Sequence, residues 1–485
     1  MNRRQLLTTG LIGTAALLGA CSVGNVETSG EGEGIAIGFQ SSTTVPKAQG
    51  APVTIALVSS GLDGPRLTVQ IQQVIQDLHA RGKAVDLTHT LMSPRAQGGP
   101  TALVETIDAA VSDGRQIDLM FVTNPEQLEG MYKLDRLLPF DEISRSDSGF
   151  SVDGYFPAAM QTVTFDGRAM GLPLWFRPIT MSVNRQAFAD AEVEIPAGDW
   201  DWQTFLETAQ RLTKRDGESV GQYGFVISPF DTPAYSFMWQ NGAEIVAENS
   251  NKALITHPSA IEAVQFMRDL VHKYGVAPAL AADGDLESLT PRFSPGGPFV
   301  GGTPVAMAPQ AFGKSMGAQV NTTRSERDGR VEVTVDIIVT ADEDGNLISG
   351  SGGGDVATTN LPRQQVRSNL ARPGGALVVL STSKSPEDAW AALRDLGSAL
   401  EPLGTVPARR LDAERLLAVD PTLEMSEAEA VIAAANSARV PVTPRKYEVL
   451  TVLQDLVDIP ILRGEAEPEE ALISAAKEIE TLLAG

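Results

Sequence analysis

Residues 170–188, Met170-Gly-Leu-Pro-Leu-Trp-Phe-Arg-Pro-Ile-Thr-Met-Ser-Val-Asn-Arg-Gln-Ala-Phe188, form an apolar, aromatic run in which two prolines flank an extended segment. A strand that crosses between two domains reads this way, because each proline disfavours a helix interior and the apolar positions leave little for solvent. On its N-terminal side, Val53-Thr-Ile-Ala-Leu-Val58 reads as a buried strand that ends in Ser59-Ser60-Gly61. Leu67, Ile71, Val74, Ile75 and Leu78 then recur at helical spacing until Gly82. The pattern repeats with a strand from Val85 to Met92, a helix carrying Leu103, Val104, Ile107 and Val111 stopped by Gly114, and a strand in Asp118-Leu-Met-Phe-Val-Thr-Asn124. Strands alternating with helices predict a parallel sheet with right-handed crossovers. Ligands of such sheets sit beyond the carboxyl ends of the strands, where Ser59, Ser60, Thr123 and Asn124 stand.

On the C-terminal side, Trp202, Phe205, Leu206, Ala209 and Leu212 mark an amphipathic helix led in by Asp201, a good N-cap. A further helix runs from Pro258 to Tyr274 and ends at Gly275. The β-rich run Val331 to Thr340 meets Asp342-Glu-Asp-Gly-Asn346 and is expected to turn back there as a hairpin, with Gly350 to Gly354 as a mobile loop. The acidic turn lacks the glycine and the twelfth-position glutamate of a calcium loop, so no metal is expected. Gly374-Gly375-Ala-Leu-Val-Val-Leu380 is another buried strand, and Ser385-Pro386-Glu-Asp388 opens a helix with a cap, an N1 proline and early acids. Two closing helices carry Val449, Leu453 and Val457, then Leu472, Ala475, Ala476 and Ile479.

The chain starts with Arg3 and Arg4, an uncharged apolar stretch from Leu6 to Leu18, and Leu18-Gly19-Ala20-Cys21. That stretch is short of the roughly 20 apolar residues a membrane span needs, so residues 1–20 read as an export signal. Cys21 is the only cysteine, which excludes a disulfide within the monomer, and the segment resembles a bacterial lipobox in which the thiol is acylated. Residues 21–50, poor in large apolar groups, read as a flexible tether. With 61 acidic against 38 basic residues the net charge is −23, so nucleic acid is not an expected partner, and membrane contact must come from the anchor.

The order of these features resembles the extracellular solute-binding proteins of ABC importers, family 1. The resemblance rests on Gly171-Leu-Pro-Leu-Trp175 through Asn184, Trp202-Gln-Thr-Phe205, Phe237-Met-Trp-Gln-Asn-Gly242 and Phe299-Val-Gly-Gly-Thr-Pro-Val-Ala-Met307. It continues in Gly374-Gly375 ahead of Ser381-Thr-Ser-Lys-Ser-Pro-Glu-Asp-Ala-Trp390 and in Gly404-Thr-Val-Pro-Ala-Arg409. The chain departs from the pattern at Val183-Asn184-Arg185, where an aromatic-Asn-Lys is usual, and in a long segment from Asn321 to Asn369. The resemblance implies an α/β, two-lobed periplasmic-binding-protein fold with central mixed sheets, crossing hinge strands and an inter-lobe ligand cleft. Residues 51–178 with 373–402 would form lobe one, and 179–372 with 403–485 lobe two. Such a monomer, extracytoplasmic and lipid-anchored through Cys21, would need no cofactor. It would close by hinge motion on a mono- or oligosaccharide and deliver it to the permease subunits of the importer. A polyol, a sugar phosphate or a peptide fits the same expectation.

A pyranose presents apolar C–H bonds on its faces and hydroxyls around its rim, so a sugar cleft pairs aromatic platforms with polar partners. Trp175 and Trp239 are the candidate platforms, against packing in a core, while Trp202 at a helix start reads as packing. Phe176 and Arg177 alternate in facing, and Arg177 suits adjacent hydroxyls or a carboxylate, or else a salt bridge. Ser60 and Asn124 stand at strand ends, Asn124 being equally a helix cap. The resemblance places Asp231, Gln310 and Phe312 near the cleft, and Gly375 permits close backbone approach or a turn. The rival class is an enzyme. His79, His89, His257 and His272 have no metalloprotease spacing, and nucleophile-elbow and phosphate-loop motifs are absent. A glycosidase pair among 61 carboxylates stays open.

Overall fold

The computed structural model describes residues 22–23, 35–44, 53–59, 74–76, 80, 85–92 and 99–484, the last range excepting 115, 123–124, 146, 148, 197, 229–232, 248–249, 285, 295–296, 313–317, 328–329, 342–355, 400–404, 416–422 and 442–444. The export signal, Cys21, Ser60, Asn124, Asp231 and the acidic turn at 342–346 lie outside the described residues.

Eight strands position the rest: β1 (Val53–Ser59), β2 (Val85–Met92), β3 (Leu119–Val122), β4 (Leu172–Asn184), β5 (Ser219–Phe225), β6 (Thr303–Ala311), β7 (Val356–Thr359) and β8 (Asn369–Val379). As the strand-helix alternation predicts, β1 lies parallel to both β2 and β3, and α1 (Gly99–Ser112) connects β2 to β3. All four residues of β3 are buried, which a strand covered on both faces requires. Next to this parallel group, β8 runs antiparallel to β3.

The run at 170–188 does what its composition suggests. Its strand β4 is 13 residues long. Residues 172–178 pair with β8, and residues 179–184 pair with β6 and β7. β4 thereby joins two groups of strands into one mixed sheet of 13 strands among the described residues. The cores change hands along it. Leu172 and Trp175 pack with Phe121, Leu377 and Trp390, whereas Ile179, Met181 and Val183 pack with Phe205, Phe225 and Met307. Between them a smaller cluster joins Phe156, Phe176, Phe312 and Val406. Two bodies of apolar core tied together by long strands is the expected two-lobed plan.

The larger core is built from amphipathic helices. In α2 (Trp202–Leu212) Trp202, Phe205, Leu206, Ala209 and Leu212 are buried, and the Asp201 carboxylate caps the helix by accepting from Thr204 N at 2.8 Å. The helix α3 (Pro233–Gln240) and α4 (Pro258–His272) follow, and Gly275 at φ +61° ends the latter in the left-handed region that glycine tolerates.

Two expectations are corrected. The hairpin partner of Arg330–Ala341 is the strand before it: it pairs antiparallel with Ala318–Arg327 in a register that sets Arg327 opposite Arg330, and the segment after it lies outside the described residues. The segment expected to be only a tether contributes a strand, Ile35–Thr44, paired antiparallel along Arg330–Ala341, with Ser22–Val23 on its other edge. Its alternating Ile35, Ile37 and Phe39 followed by Ser and Thr have the strand period, which the low overall apolar content hid.

Asp458 ends a π-helical turn (Gln454–Asp458) inside the larger core. One of its carboxylate oxygens accepts from Ala234 N at 3.0 Å at the start of α3, and the other is buried without a hydrogen bond. Burial pushes its pKa up to about 7 against the opposing pull of the Ala234 amide. The folded value lies above the unfolded one, about 3.9, so the native state holds the extra proton between those values. The contribution of this group is therefore greatest at low pH and falls as pH rises from about 4 through 7. Asp458→Asn should remove that dependence. In urea unfolding the variant should gain about 1–3 kcal/mol over the parent at pH 8 and much less at pH 5. An equal difference at both values would show that the carboxyl does not titrate in this range.

Candidate functional site

Arg177, Gln310 and Phe312 are brought together where β4 passes from one core to the other. Gln310 sits opposite Thr180 in the ladder, Phe312 N donates to Pro178 O at 2.8 Å, and Arg177 Nε donates back to Phe312 O at 3.3 Å. Arg177 also faces Arg372 across the β4–β8 pair. Arg177 stays half-buried at this junction. Alternation sends its neighbour the other way: Phe176 is fully buried, 5.4 Å from the Phe156 ring. Phe312 is buried in the same cluster, so its backbone rather than its ring meets Arg177.

Both candidate aromatic platforms are buried. Trp175 is 6% exposed and its ring centroid lies 5.6 Å from that of Phe121, inside the core of β1, β3 and β8. A Cβ on Gly375 would lie 2.7 Å from Phe121 Cζ and 3.2 Å from Trp175 Cε2, so the glycine lets the two rings approach the backbone closely. Trp239 is 3% exposed; Tyr235 meets it edge-on at 4.5 Å and the Arg439 guanidinium lies 4.2 Å above its ring. Arg439 is held there by Glu244 through contacts of 3.0 and 2.9 Å. Both rings are covered by neighbouring side chains, and Trp239 Nε1 is buried without a hydrogen bond. Trp202 packs as expected, stacked 4.3 Å from Phe266 with Nε1 donating to Gln240 at 2.9 Å.

Sequence reasoning missed the residues that face each other from the two cores. Glu129 lies on the helix Pro125–Lys133, whose Leu128 and Met131 pack with Met120 and Val122. Lys446 starts the helix Lys446–Leu453, whose Val449 and Leu453 belong to the larger core. Their charged groups are 3.9 Å apart, and the ammonium also lies 4.9 Å from the Tyr447 ring and 5.7 Å from that of Phe165, itself stacked on Tyr132 at 5.2 Å. A strip of charge and aromatic surface, unlike the cores behind it, thus runs where the two bodies meet. A cavity of about 40 Å³ beneath the junction, lined by Ile179, Met181, Ile227, Ser236 and Pro309, has room for a few waters and none for a sugar. Among the described residues there is no cluster of His, Cys, Asp or Glu with metal-binding geometry, and no helix long and apolar enough to cross a membrane.

No curated protein matches the chain. Among solved structures, the sugar-binding protein MalE from Xanthomonas citri is similar with a TM-score of 0.61 at 14% identity, over 89% of this chain and 98% of that one. The cyclic α-maltosyl-1,6-maltose binding protein from Arthrobacter globiformis gives 0.60 at 16% identity, over 89% and 99%. UgpB from Mycobacterium tuberculosis, solved in complex with glycerophosphocholine, gives 0.57 at 16% identity, over 90% and 99%. These likenesses establish the two-lobed α/β architecture. The profile of the bacterial extracellular solute-binding proteins matches residues 96–399, well over half the chain and including every strand from β3 to β8, and the protein belongs to that family.

Proposed function

We propose that the protein is the substrate-binding component of an ABC importer, and that its solute is a mono- or oligosaccharide held between two lobes that close by hinge motion. Lobe one comprises residues 51–178 and 373–402, and lobe two residues 179–372 and 403–485. The observation that carries the reading is the transfer of β4 from one apolar core to another at Pro178–Ile179, with Arg177, Gln310 and Phe312 gathered at that point. Donors fixed on rigid strands between two movable bodies suit the hydroxyl rim of a sugar. Ser60, Asn124 and Asp231 extend the polar lining in this reading. Several structural relatives are described as sugar-binding proteins, which supports the same solute class. The protein binds without turning over its solute, in keeping with a family of binding proteins. Cys21 carries the lipid that holds the mature chain to the outer side of the cell membrane, and two acyl chains suffice for that. In Cys21→Ala cells the protein should leave the membrane fraction; unchanged membrane association would refute the anchor.

Thermal unfolding against maltose, maltotriose, trehalose, xylitol, glycerol 3-phosphate and a tripeptide tests the solute. A bound sugar at a hundredfold its Kd should stabilise by about 2.7 kcal/mol and raise Tm, and labelled maltotriose recovered after long incubation should be intact. A response to the tripeptide alone would remove the sugar assignment, and cleaved maltotriose would make the protein a hydrolase.

A further inference from the structure

We propose that Glu129 and Lys446 form a latch that sets the balance between open and closed lobes before any solute arrives. The inference rests on the two-lobe reading above and adds to it a specific pair of residues. The two side chains are anchored in different apolar cores, so their separation reports the separation of the bodies and not a local rotamer. Both are mostly shielded, at 14% and 16% exposure, whereas pairs such as Arg168–Glu142 and Lys214–Asp190 lie largely in solvent.

The geometry is poised. At 3.9 Å the ammonium is within ion-pair range of Glu129 Oε2 but outside hydrogen-bond range, and that oxygen is buried with no hydrogen bond at all. The other carboxylate oxygen is taken by Lys133, one turn along the same helix, at 2.8 Å. A closure of about 1 Å would convert the cross-lobe contact into a charge-assisted hydrogen bond, whereas opening would draw the two charges apart. The pair therefore differs in energy between the two states, which is the condition for biasing them. The charge pattern continues beside it: the Glu448 carboxyl is held below its usual range although burial opposes this, by its own backbone amide, by Arg445 at 3.3 Å and, from the other body, by Lys133. Opposite charges thus alternate across the seam as Glu129 with Lys446 and Lys133 with Glu448.

Hydrogen exchange of the solute-free full chain tests the latch with Glu129→Gln, Lys446→Gln and the double variant. Each single substitution should speed amide exchange about two- to fivefold in both helices, 125–133 and 446–453, although it alters only one of them. In each helix the double variant should exchange no faster than the faster of the two single ones, because the shared pair can be broken only once, whereas Glu129→Gln also frees Lys133 within its own helix. High salt should reproduce part of the effect in the parent and less of it in the double variant, where only the Lys133–Glu448 attraction is left to screen. Acceleration confined to the substituted helix, or additive effects in the double variant, would overturn the latch. The receptor reading fails separately: maltotriose and its companions leaving exchange in both helices of the parent unchanged would count against solute capture, while the cross-helix effect would still stand.

Discussion

Alanine at position 374 should cost the protein about 3 kcal/mol or more of folding stability, far more than one added methyl group usually does. Gly374 lies in β8 between Pro373 and Gly375, where the register with β4 shifts. A Cβ there would sit 2.2 Å from Trp175 Cδ1, 2.8 Å from Trp175 O and 3.0 Å from Trp175 C. The indole could rotate, but the backbone carbonyl could not move without parting the two strands that tie the lobes together. Chemical unfolding should show the loss as a lowered midpoint with an unchanged slope. A midpoint within about 0.5 kcal/mol of the parent would mean that β4 and β8 are farther apart than described.

Trp175→Ala carries the second large effect, about 3–5 kcal/mol, through the cavity left among Phe121, Leu172 and Leu377. The outcome discriminates two roles for the ring. A cleft platform would be dispensable for stability and needed for binding. A core residue is the reverse: the variant should unfold at lower denaturant, while the fraction still folded keeps its response to any sugar that stabilises the parent. A variant as stable as the parent that no longer responds would return Trp175 to the cleft.

Why the architecture was legible and the site less so follows from what each depends on. β1 to β3 and α2 announce themselves by periodicity, which is local, and Pro173, Pro178 and the mostly apolar run mark β4 as largely buried on both faces. A hairpin with two candidate turns is harder. The residues on either side of Arg330–Ala341 read alike as turns, and only the pairing with Ala318–Arg327 identifies the partner strand. Indoles are harder still, because a tryptophan wanted by a sugar and one wanted by a core look alike in sequence. What separates them is whether a Phe121 or an Arg439 covers the ring, and those lie far along the chain. Arg177 was legible because it interrupts an apolar strand. Glu129 and Lys446 carry no such mark, and their pairing exists only once both cores have formed.

Small-angle X-ray scattering of the mature chain, with and without whichever sugar raises its Tm, addresses the hinge most directly. Capture between closing lobes predicts a smaller radius of gyration and a shortened maximum dimension at saturation. A sugar that binds tightly yet leaves the scattering profile unchanged would contradict it, since the solute would then occupy a rigid surface and not a closing groove.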